Sequence, residues 1–378
     1  MTAAYLHIPF CEHICFYCDF NKVFLEGQPV DEYVDAVIKE MAIMKSRHPK
    51  EAVSTFYIGG GTPTTLTAKQ LDKLLDGVQK YFPLDKNAEF TVEANPESVS
   101  FEKFAVMKSH GVNRISMGVQ SFNNEILKKI GRIHTAEQVY DCVANADKAG
   151  FDNISIDLIF RLPNQTIEDF TRTLQKALEL DLPHYSIYAL ILENKTIFYN
   201  LMRQGKLPLP SEDDEADMFQ LAMETMEKAG RYQYEISNYA KPGFQSQHNL
   251  AYWNNDTYFG FGAGAHGYID GVRYNNHGPI QHFLEPLRQG ESPIIYQNTL
   301  SKQNKMEEEM ILGLRTMRGI DQTLFKTKYG QAVEEIYQNE LTTLFNQKLI
   351  KIEGDYIRLT KKGVFLGNEV FRSFLMDN

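Results

Sequence analysis

The segment Tyr5-Leu-His-Ile-Pro-Phe-Cys11-Glu-His-Ile-Cys15-Phe-Tyr-Cys18 places three of the chain's four cysteines within eight residues. Its apolar beginning predicts a β-strand over residues 4–9, so the cysteines belong to the loop that follows this strand. The fourth is Cys142, and the start of the chain has no basic region followed by an apolar core, so a secreted disulfide scaffold is not expected. Three neighbouring thiols on one loop therefore indicate a metal or iron–sulfur site.

Two kinds of site are compatible with this loop. Zinc needs a fourth protein ligand to close a tetrahedral site, and His13 or Asp19 would have to supply it because no fourth cysteine is near. A [4Fe–4S] cluster on Cys11, Cys15 and Cys18 would instead leave one iron open to an outside ligand. Aromatic neighbours would shield such a cluster from solvent: Phe10, Phe16, Tyr17 and Phe20. We predict the cluster and keep zinc as the alternative.

The first 200 residues alternate between short apolar runs and longer amphipathic stretches. The apolar runs predict strands over residues 4–9, 55–58, 89–93, 114–119, 153–159 and 184–190. The amphipathic stretches predict helices over residues 32–45, 68–81, 101–109, 136–149 and 167–180. Strands and helices alternating at this spacing form βαβ units and a parallel sheet. Six units are too few for a closed eightfold barrel, so the predicted fold class is α/β with a partial (βα)6 barrel.

Polar and glycine residues mark the ends of the predicted strands. A run of three glycines begins at Gly59, Glu93 ends the third strand, Gln120 follows the fourth, and Asp157 lies within the fifth. The carboxyl ends of parallel strands share one edge of the sheet, which is where such folds bind ligands. Taken singly, Glu93 and Asp157 have an alternative interpretation as solvated strand ends.

Two further regions are predicted after the barrel of residues 1–200. Residues 201–299 form a connecting region, which is helical over 214–229 and irregular and aromatic over 232–268. Residues 300–378 form a helical C-terminal domain with helices over 307–317, 322–329 and 333–347. Apolar runs at 349–352 and 356–359 flank Glu353-Gly354-Asp355, which predicts a small hairpin like that of a winged helix.

Charge and hydropathy exclude several classes of protein. The chain carries 39 Lys and Arg against 49 Asp and Glu, a net charge of −10, and residues 301–378 carry 12 against 11, a net of +1. Neither balance is the basic footprint of a nucleic-acid-binding protein. No apolar run reaches the roughly 18–20 residues of a membrane helix. We therefore expect a soluble cytoplasmic protein that binds no nucleic acid and does not span a membrane.

The cysteine spacing, with Tyr17 before the last cysteine, resembles the signature of the radical S-adenosylmethionine (SAM) superfamily. The resemblance implies that the open iron binds SAM, and that an electron from the cluster cleaves it to a 5′-deoxyadenosyl radical. Glycines after the second strand would let the backbone approach SAM closely. Further segments are similar to the oxygen-independent coproporphyrinogen III oxidase family: Gly59-Gly-Gly-Thr-Pro63, Val92-Glu-Ala-Asn-Pro96, Ser116-Met-Gly-Val-Gln-Ser-Phe122, Gly131-Arg-Ile-His134 and Ile156-Asp-Leu-Ile159.

This resemblance implies a radical SAM barrel and a set of SAM contacts. The implied contacts are Tyr5, Tyr17, Gly60, Gly61, Thr62, Glu93, Gln120, Arg132 and Asp157. Arg132 would suit a carboxylate, although a cation at a helix end beside Gly131 is the alternative. One position departs from the family, which usually has glycine where this chain has Arg161 before Leu162-Pro163. A turn with positive φ would be strained by arginine there, and a turn lining a pocket would change what binds.

Within this family the chain resembles the heme chaperone branch more than the oxidase. The oxidase has a further cysteine two residues after the third and an N-terminal extension, whereas here Phe20 stands at that position and ten residues precede Cys11. The segment His248-Asn-Leu-Ala-Tyr-Trp253 resembles the heme-associated H-N-x-x-Y-W signature of that branch. It implies that His248 is an axial ligand of heme, whereas a histidine bonded to the backbone of an irregular loop is the alternative.

The branch resemblance implies a protein that binds heme and transfers it to a heme-accepting protein such as a membrane cytochrome. The implied cofactors are a [4Fe–4S] cluster, SAM and heme, and the expected state is a monomer or weak dimer. Whether the chain is an enzyme is left open, and coproporphyrinogen oxidase activity is not expected. Two enzyme alternatives remain: radical decarboxylation of coproporphyrinogen III, and radical chemistry on another substrate.

Overall fold

The computed structural model describes residues 2–375. The strands are β1 (Thr2–Ile8), β2 (Phe10–Cys11), β3 (Val23–Phe24), β4 (Thr55–Gly60), β5 (Glu89–Ala94), β6 (Arg114–Gln120), β7 (Asn153–Phe160), β8 (His184–Ala189), β9 (Tyr232–Glu235), β10 (Asn238–Ala240), β11 (Thr257–Phe261), β12 (His266–Ile269), β13 (Val272–Asn276), β14 (Ile294–Thr299), β15 (Ile320–Asp321), β16 (Ile350–Glu353) and β17 (Tyr356–Leu359). The helices are α1 (Val30–Arg47), α2 (Ala68–Tyr81), α3 (Phe101–Ser109), α4 (Asn124–Lys129), α5 (Ala136–Lys148), α6 (Ile167–Glu179), α7 (Ile197–Arg203), α8 (Glu212–Lys228), α9 (Gln247–Trp253), α10 (Ile280–Arg288), α11 (Lys302–Gly313), α12 (Gln322–Tyr329), α13 (Val333–Asn346), α14 (Lys361–Phe365) and α15 (Gly367–Arg372), with a 3₁₀ turn at Pro63–Thr65.

Six parallel strands form the centre of a large sheet, in the order β1-β4-β5-β6-β7-β8. Apart from α1, which follows Pro29, the helices between them begin after residues whose side chains accept backbone N–H groups, as Thr67, Thr135 and Thr166 do for α2, α5 and α6. Each of these helices buries an apolar face against the sheet. This arrangement confirms the predicted partial (βα)6 barrel. Among residues 2–375, no helix is both long and apolar enough to cross a membrane.

The sheet continues beyond both edges of the barrel. On one side β11 pairs in parallel with β1 and is followed by β12, β13 and β14, while β10 and β9 extend the other side beyond β8. The prediction of an irregular segment over residues 232–268 is therefore wrong. These strands are only three to five residues long, too short to show a period in the sequence, and pairing with the edges of an existing sheet stabilises them.

The C-terminal region has its own apolar core beside the barrel. Helices α11–α15 pack around β15, β17 and β16, and the core includes Phe325, Tyr337, Ile357 and Phe374. The hairpin turns at Gly354, which has a φ of +57°. The predicted helical region with a small hairpin is confirmed. A bridge between Glu235 and Thr316 joins it to β9.

Candidate functional site

The cysteine loop lies across the carboxyl-terminal edge of the sheet. Cys11 is 6% exposed on β2, which pairs with β3. The loop is anchored by the Phe16 amide, which donates to the carbonyl of Ile130 at 3.1 Å, and by the Phe16 ring, which contacts Phe198. The free thiols of Cys11, Cys15 and Cys18 line one cavity, the first cavity.

The surroundings of the sulfur atoms suit an iron–sulfur cluster. The Thr62 hydroxyl lies 3.8 Å from Cys11 Sγ, and Arg132 Nη1 lies 3.6 Å from Cys15 Sγ. A Cβ atom on Gly61 would come within 2.9 Å of Cys11 Sγ, so only glycine fits beside this sulfur. Burial raises the pKa of Cys11 to about 11, so a positive partner such as iron is needed to hold it as the thiolate.

The same thiols do not form a site for a single metal ion. Within residues 2–375, no three His, Cys, Asp or Glu side chains converge closely enough to hold one ion. The thiolates of a [4Fe–4S] cluster bind different iron atoms and therefore stand further apart than the ligands of one zinc. The geometry gives the zinc alternative, with His13 or Asp19 as a fourth ligand, no support.

The structure brings nearly all of the predicted residues into the first cavity. Besides the three cysteines, those that line it are Tyr17, Gly60, Gly61, Thr62, Glu93, Gln120, Arg132 and Asp157. The two that do not line it are Tyr5 and His248, which lie in a neighbouring cavity. Gly60 has a φ of +119°, and a Cβ atom there would lie 2.6 Å from the ring of His7. The cavity floor therefore requires glycine at this position.

Two carboxylates face the first cavity, Glu93 from β5 and Asp157 from β7, on either side of β6. Glu93 accepts hydrogen bonds from the Tyr57 hydroxyl at 2.7 Å and from the Gly60 amide at 3.1 Å. Burial raises the pKa of Glu93, and burial together with the charge of Glu93 raises the pKa of Asp157 to about 7. Such acceptors suit the amino group and ribose hydroxyls of SAM.

The raised pKa of Asp157 gives a pH-dependent stability. The pKa of Asp157 is about 7 in the folded protein and about 3.9 in the unfolded chain. The contribution of this carboxyl to the free energy of unfolding is therefore complete below the unfolded pKa and is lost as pH rises through 7. Asp157→Asn stays neutral at every pH and lacks this loss. We expect the free energy of unfolding of Asp157→Asn, relative to that of wild type, to rise by about 1–2 kcal/mol from about pH 5 to about pH 8.5. Water in the cavity keeps the effect below the full value that the pKa shift implies.

Urea unfolding of the SAM-free protein at the two pH values measures this difference. Asp152→Asn is the matched control, because Asp152 is exposed just before β7. An equal stability difference between Asp157→Asn and wild type at both pH values would contradict the prediction.

Gln120 and Arg132 complete the polar lining. Gln120 has a φ of +68° where the register of β6 shifts against β7, and its buried Oε1 has no partner within the described residues. A strained residue with an unpaired acceptor is typical of a ligand-binding position. Arg132 is 8% exposed and donates from Nη2 to Gly118 and Asn95 at 2.5 and 2.9 Å. It is therefore directed into the cavity and is not a solvated helix-end cation.

Sequence reasoning missed the residues that orient this lining. Asn95 donates to the Thr62 hydroxyl at 3.0 Å while accepting from Arg132. Glu97 lies 3.3 Å from the His134 ring and 4.0 Å from Arg132 Nη2. Asn95 and His134 belong to segments quoted above as family-like, and that was the available signal. No sequence pattern around Glu97 indicated its role.

A second cavity of about 460 Å³ adjoins the first and shares Gly60 and Glu93 with it. Its walls are largely aromatic, with Tyr5, Tyr57, Tyr252, Tyr258 and His248 among the lining side chains. Tyr5 stacks on Tyr57 with ring centroids 6.1 Å apart. Tyr5 thus lies beside the histidine motif and not beside the cysteines.

His248 is buried on α9, in contact with the floor of the barrel. Its Nδ1 is 3.0 Å from the Thr55 hydroxyl, its Nε2 is 3.1 Å from the Tyr252 hydroxyl, and its ring stacks on Tyr57 at 5.0 Å. Burial, with a smaller contribution from Arg114, lowers the pKa of His248 to about 3. The ring is therefore neutral and hydrogen-bonded to two hydroxyls, and within residues 2–375 it makes no hydrogen bond to a loop backbone.

The position of α9 depends on Glu89, which sequence reasoning also missed. Glu89 begins β5 and is 8% exposed. Its carboxylate accepts from the Ser246 hydroxyl at 3.2 Å and from the amides of Gln247 and His248 at 2.9 Å each. A charged residue opening an apolar strand was the only signal. A carboxylate at the first amides of a helix stabilises it through both hydrogen bonds and the helix dipole.

Removal of this carboxylate tests how α9 is held. We expect Glu89→Ala to lower the free energy of unfolding by about 2 kcal/mol, because three donors lose a charged acceptor. The sole tryptophan, Trp253, ends α9, so its fluorescence emission is expected to shift to the red in the variant. Asp85→Ala, an exposed change before β5, is the control. An unshifted emission with unchanged urea stability would contradict the prediction.

Comparison with known proteins agrees with this geometry. Residues 5–177 match the Radical SAM superfamily and residues 300–366 match the HemN C-terminal domain. The chain is 48% identical over 377 residues to a protein of Lactococcus lactis described as heme chaperone HemW, with 100% of this chain and 98% of the relative covered.

The chain belongs to the HemW family.

Other HemW proteins are similar along their whole length. Those of Bacillus subtilis and Escherichia coli are 46% and 35% identical, each with 99% of this chain and with 99% and 98% of the relative covered. Among solved structures, the coproporphyrinogen III oxidase HemN from Escherichia coli superposes with a TM-score of 0.86 at 24% identity, covering 99% of this chain and 89% of that chain. At that identity the likeness concerns the fold. Membership of a radical SAM family brings a [4Fe–4S] cluster and SAM as cofactors, and the first cavity has the donor set for both.

Proposed function

We propose that this HemW family member is a heme chaperone, which binds heme in the second cavity and transfers it to an acceptor protein. The observation that carries the proposal is the placement of His248 and Tyr252, from the H-N-x-x-Y-W segment, in a cavity with tyrosine walls. The relatives named heme chaperones align over the whole chain, this segment included. A flat aromatic macrocycle suits walls of this kind.

His248 has the protonation state and the orientation that a heme ligand needs. A pKa of about 3 keeps the imidazole neutral, and the neutral ring is the form that binds iron. The Thr55 hydroxyl fixes the ring through Nδ1, as outer partners of metal-bound histidines do. Heme iron would then take Nε2, and the Tyr252 hydroxyl that now bonds this atom would have to turn away.

We further propose that Cys11, Cys15 and Cys18 hold the cluster. Around it, Glu93, Gln120, Arg132 and Asp157 contact SAM, together with Tyr17 and the backbone of residues 60–62; Tyr5, predicted as a SAM contact, would reach it from the second cavity. When bound, the cluster and SAM supply a low-potential electron and a source of radicals. The protein's own contribution is to bind these groups, to orient them and to exclude water.

We place the protein in the cytoplasm as a monomer or weak dimer, with acceptors such as membrane cytochromes.

Anaerobic titration of the cluster-loaded protein with hemin, followed by Soret absorbance, tests the proposal. We expect a saturating one-to-one complex whose heme moves to an added apo-cytochrome. Absence of specific binding would overturn the chaperone function. The oxidase alternative is tested on the same preparation with coproporphyrinogen III, SAM and a reductant, and we expect no decarboxylated porphyrin. That alternative is supported by the fold likeness to HemN and by the match of residues 300–366 to the HemN C-terminal domain.

A further inference from the structure

A third cavity lies between the barrel and the C-terminal region. It has a volume of about 690 Å³, which lies within the roughly 300–1000 Å³ of common ligand sites. It is walled by the ends of β7 and β8, by α8, and by α14 and α15. Most of the lining is apolar, with Phe160, Phe219, Phe365 and Phe371 as its rings.

One cation that lines this cavity, Arg315, forms no direct ion pair among the described residues. The guanidinium of Arg315 lies between two rings, 4.6 Å from the centroid of Trp253 and 5.5 Å from that of Phe371. Its Nε is buried without a hydrogen-bond partner, and within residues 2–375 its side chain forms no ion pair. Glu235 lies within electrostatic range but does not pair with it. A half-buried arginine that lies near two aromatic rings and has an unpartnered Nε is suited to bind a carboxylate.

The opposite side of the cavity is already neutralised. Arg161 has a φ of +63° and forms an ion pair with Glu215 at 2.7 Å. Arg161 therefore replaces the family's usual glycine at a position that has a positive φ and also lines a cavity. Both effects expected from the sequence, backbone strain and a changed pocket, apply to it. Glu212 on the same side is exposed and adds negative charge. A ligand's acidic group is therefore directed toward Arg315 and away from α8.

We propose that the third cavity binds an amphipathic organic acid, with its apolar body among the phenylalanines and its carboxylate on Arg315. Metal-free porphyrin dicarboxylates and long-chain fatty acids share this chemistry. The inference does not depend on heme binding at His248, because the third cavity has different walls and its ligand needs no iron. Tyr188 lines both the first and the third cavity, so the ligand would lie one side chain away from the SAM site.

The test uses metal-free protoporphyrin IX and palmitate as separate probes on the full-length, cluster-loaded protein. Trp253 stacks against Arg315, so quenching of its fluorescence reports binding of the porphyrin, and competition with the porphyrin or calorimetry reports binding of palmitate. We expect wild type to bind at least one probe, and Arg315→Gln to weaken that binding about tenfold or more. Arg318→Gln is the matched control, since Arg318 is three positions along and exposed. The dimethyl ester of protoporphyrin, which has no carboxylate, should bind to wild type as weakly as the free acid binds to Arg315→Gln.

A second variant guards against misfolding of the first. Ala216 is exposed on α8 and lines the cavity, so Ala216→Phe fills it with little expected effect on folding and should also weaken binding. Equal affinities of Arg315→Gln and Arg318→Gln would overturn the inference, as would failure of wild type to bind either probe. Loss of binding in His248→Ala alone would do the same, by placing the probe in the second cavity. Hemin titration of the same samples separates this outcome from the chaperone function: heme binding without probe binding overturns only the present inference, and the reverse overturns only the chaperone.

Discussion

Replacement of Cys15 by alanine is expected to remove the [4Fe–4S] cluster almost completely. In the proposed ligand set one iron is reserved for an outside ligand, so each of the three cysteines would hold a different iron. The fourth cysteine is buried on α5 and could not replace one of them. Loss of one thiolate leaves two irons without protein ligands. We expect iron and sulfide per chain to fall to about a tenth of wild type or less.

Cys142→Ala is the control for this experiment. Cys142 is 3% exposed on α5, and burial raises its pKa to about 12, so its thiol is expected to be unreactive. The control should keep its iron and lose only about 1 kcal/mol of stability. Full iron content in Cys15→Ala, measured after anaerobic reconstitution, would show that the ligand set is different.

The second large effect is expected at His248. His248→Ala should weaken hemin binding about tenfold or more and shift the Soret band, because iron loses a neutral imidazole that Thr55 holds in place. Tyr252→Phe should act in the opposite direction. Its hydroxyl bonds Nε2, the atom that iron must take, so removing this competitor is expected to leave the affinity unchanged or raise it up to about tenfold.

A titration of both variants beside His110→Ala tests this pair of predictions. His110 pairs with Asp72 and Asp76 on the surface, outside both cavities, and should behave as wild type. If Tyr252→Phe weakened binding as much as His248→Ala, the hydroxyl would be part of the heme site and not a competitor. If His248→Ala bound hemin normally, the ligand would lie elsewhere.

The barrel was predictable because its elements repeat a strong local pattern. Helices α2 and α3 occur over the predicted residues, and the central strands differ from prediction by one or two residues at their ends. The added strands were not predictable in this way. Strand β11 is held by its register with β1, from Thr2 opposite Thr257 to Leu6 opposite Phe261, and such pairing leaves no signal within the short strand itself.

The candidate site shows the same division. Side chains at the ends of parallel strands, such as Glu93 and Asp157, were found because topology alone brings these ends together. Contacts made across long stretches of chain were not found. Glu89 accepts a hydrogen bond from the amide of Gln247, which is 158 positions later in the sequence. Arg132 contacts Cys15, which is 117 positions earlier. The motif around His248 was recognisable by resemblance, but its helical state and its two hydroxyl partners depend on the barrel floor.

The wall between the first and second cavities has a thermodynamic consequence. Glu93 and Gly60 face both cavities, and Tyr57 connects Glu93 to the ring of His248. Two ligands bound on either side of such a wall form a linked equilibrium. Any factor by which bound SAM changes the affinity for heme must equal the factor by which bound heme changes the affinity for SAM. Delivery of heme to an acceptor would then alter how tightly SAM is held, and the supply of SAM would set how readily heme is released.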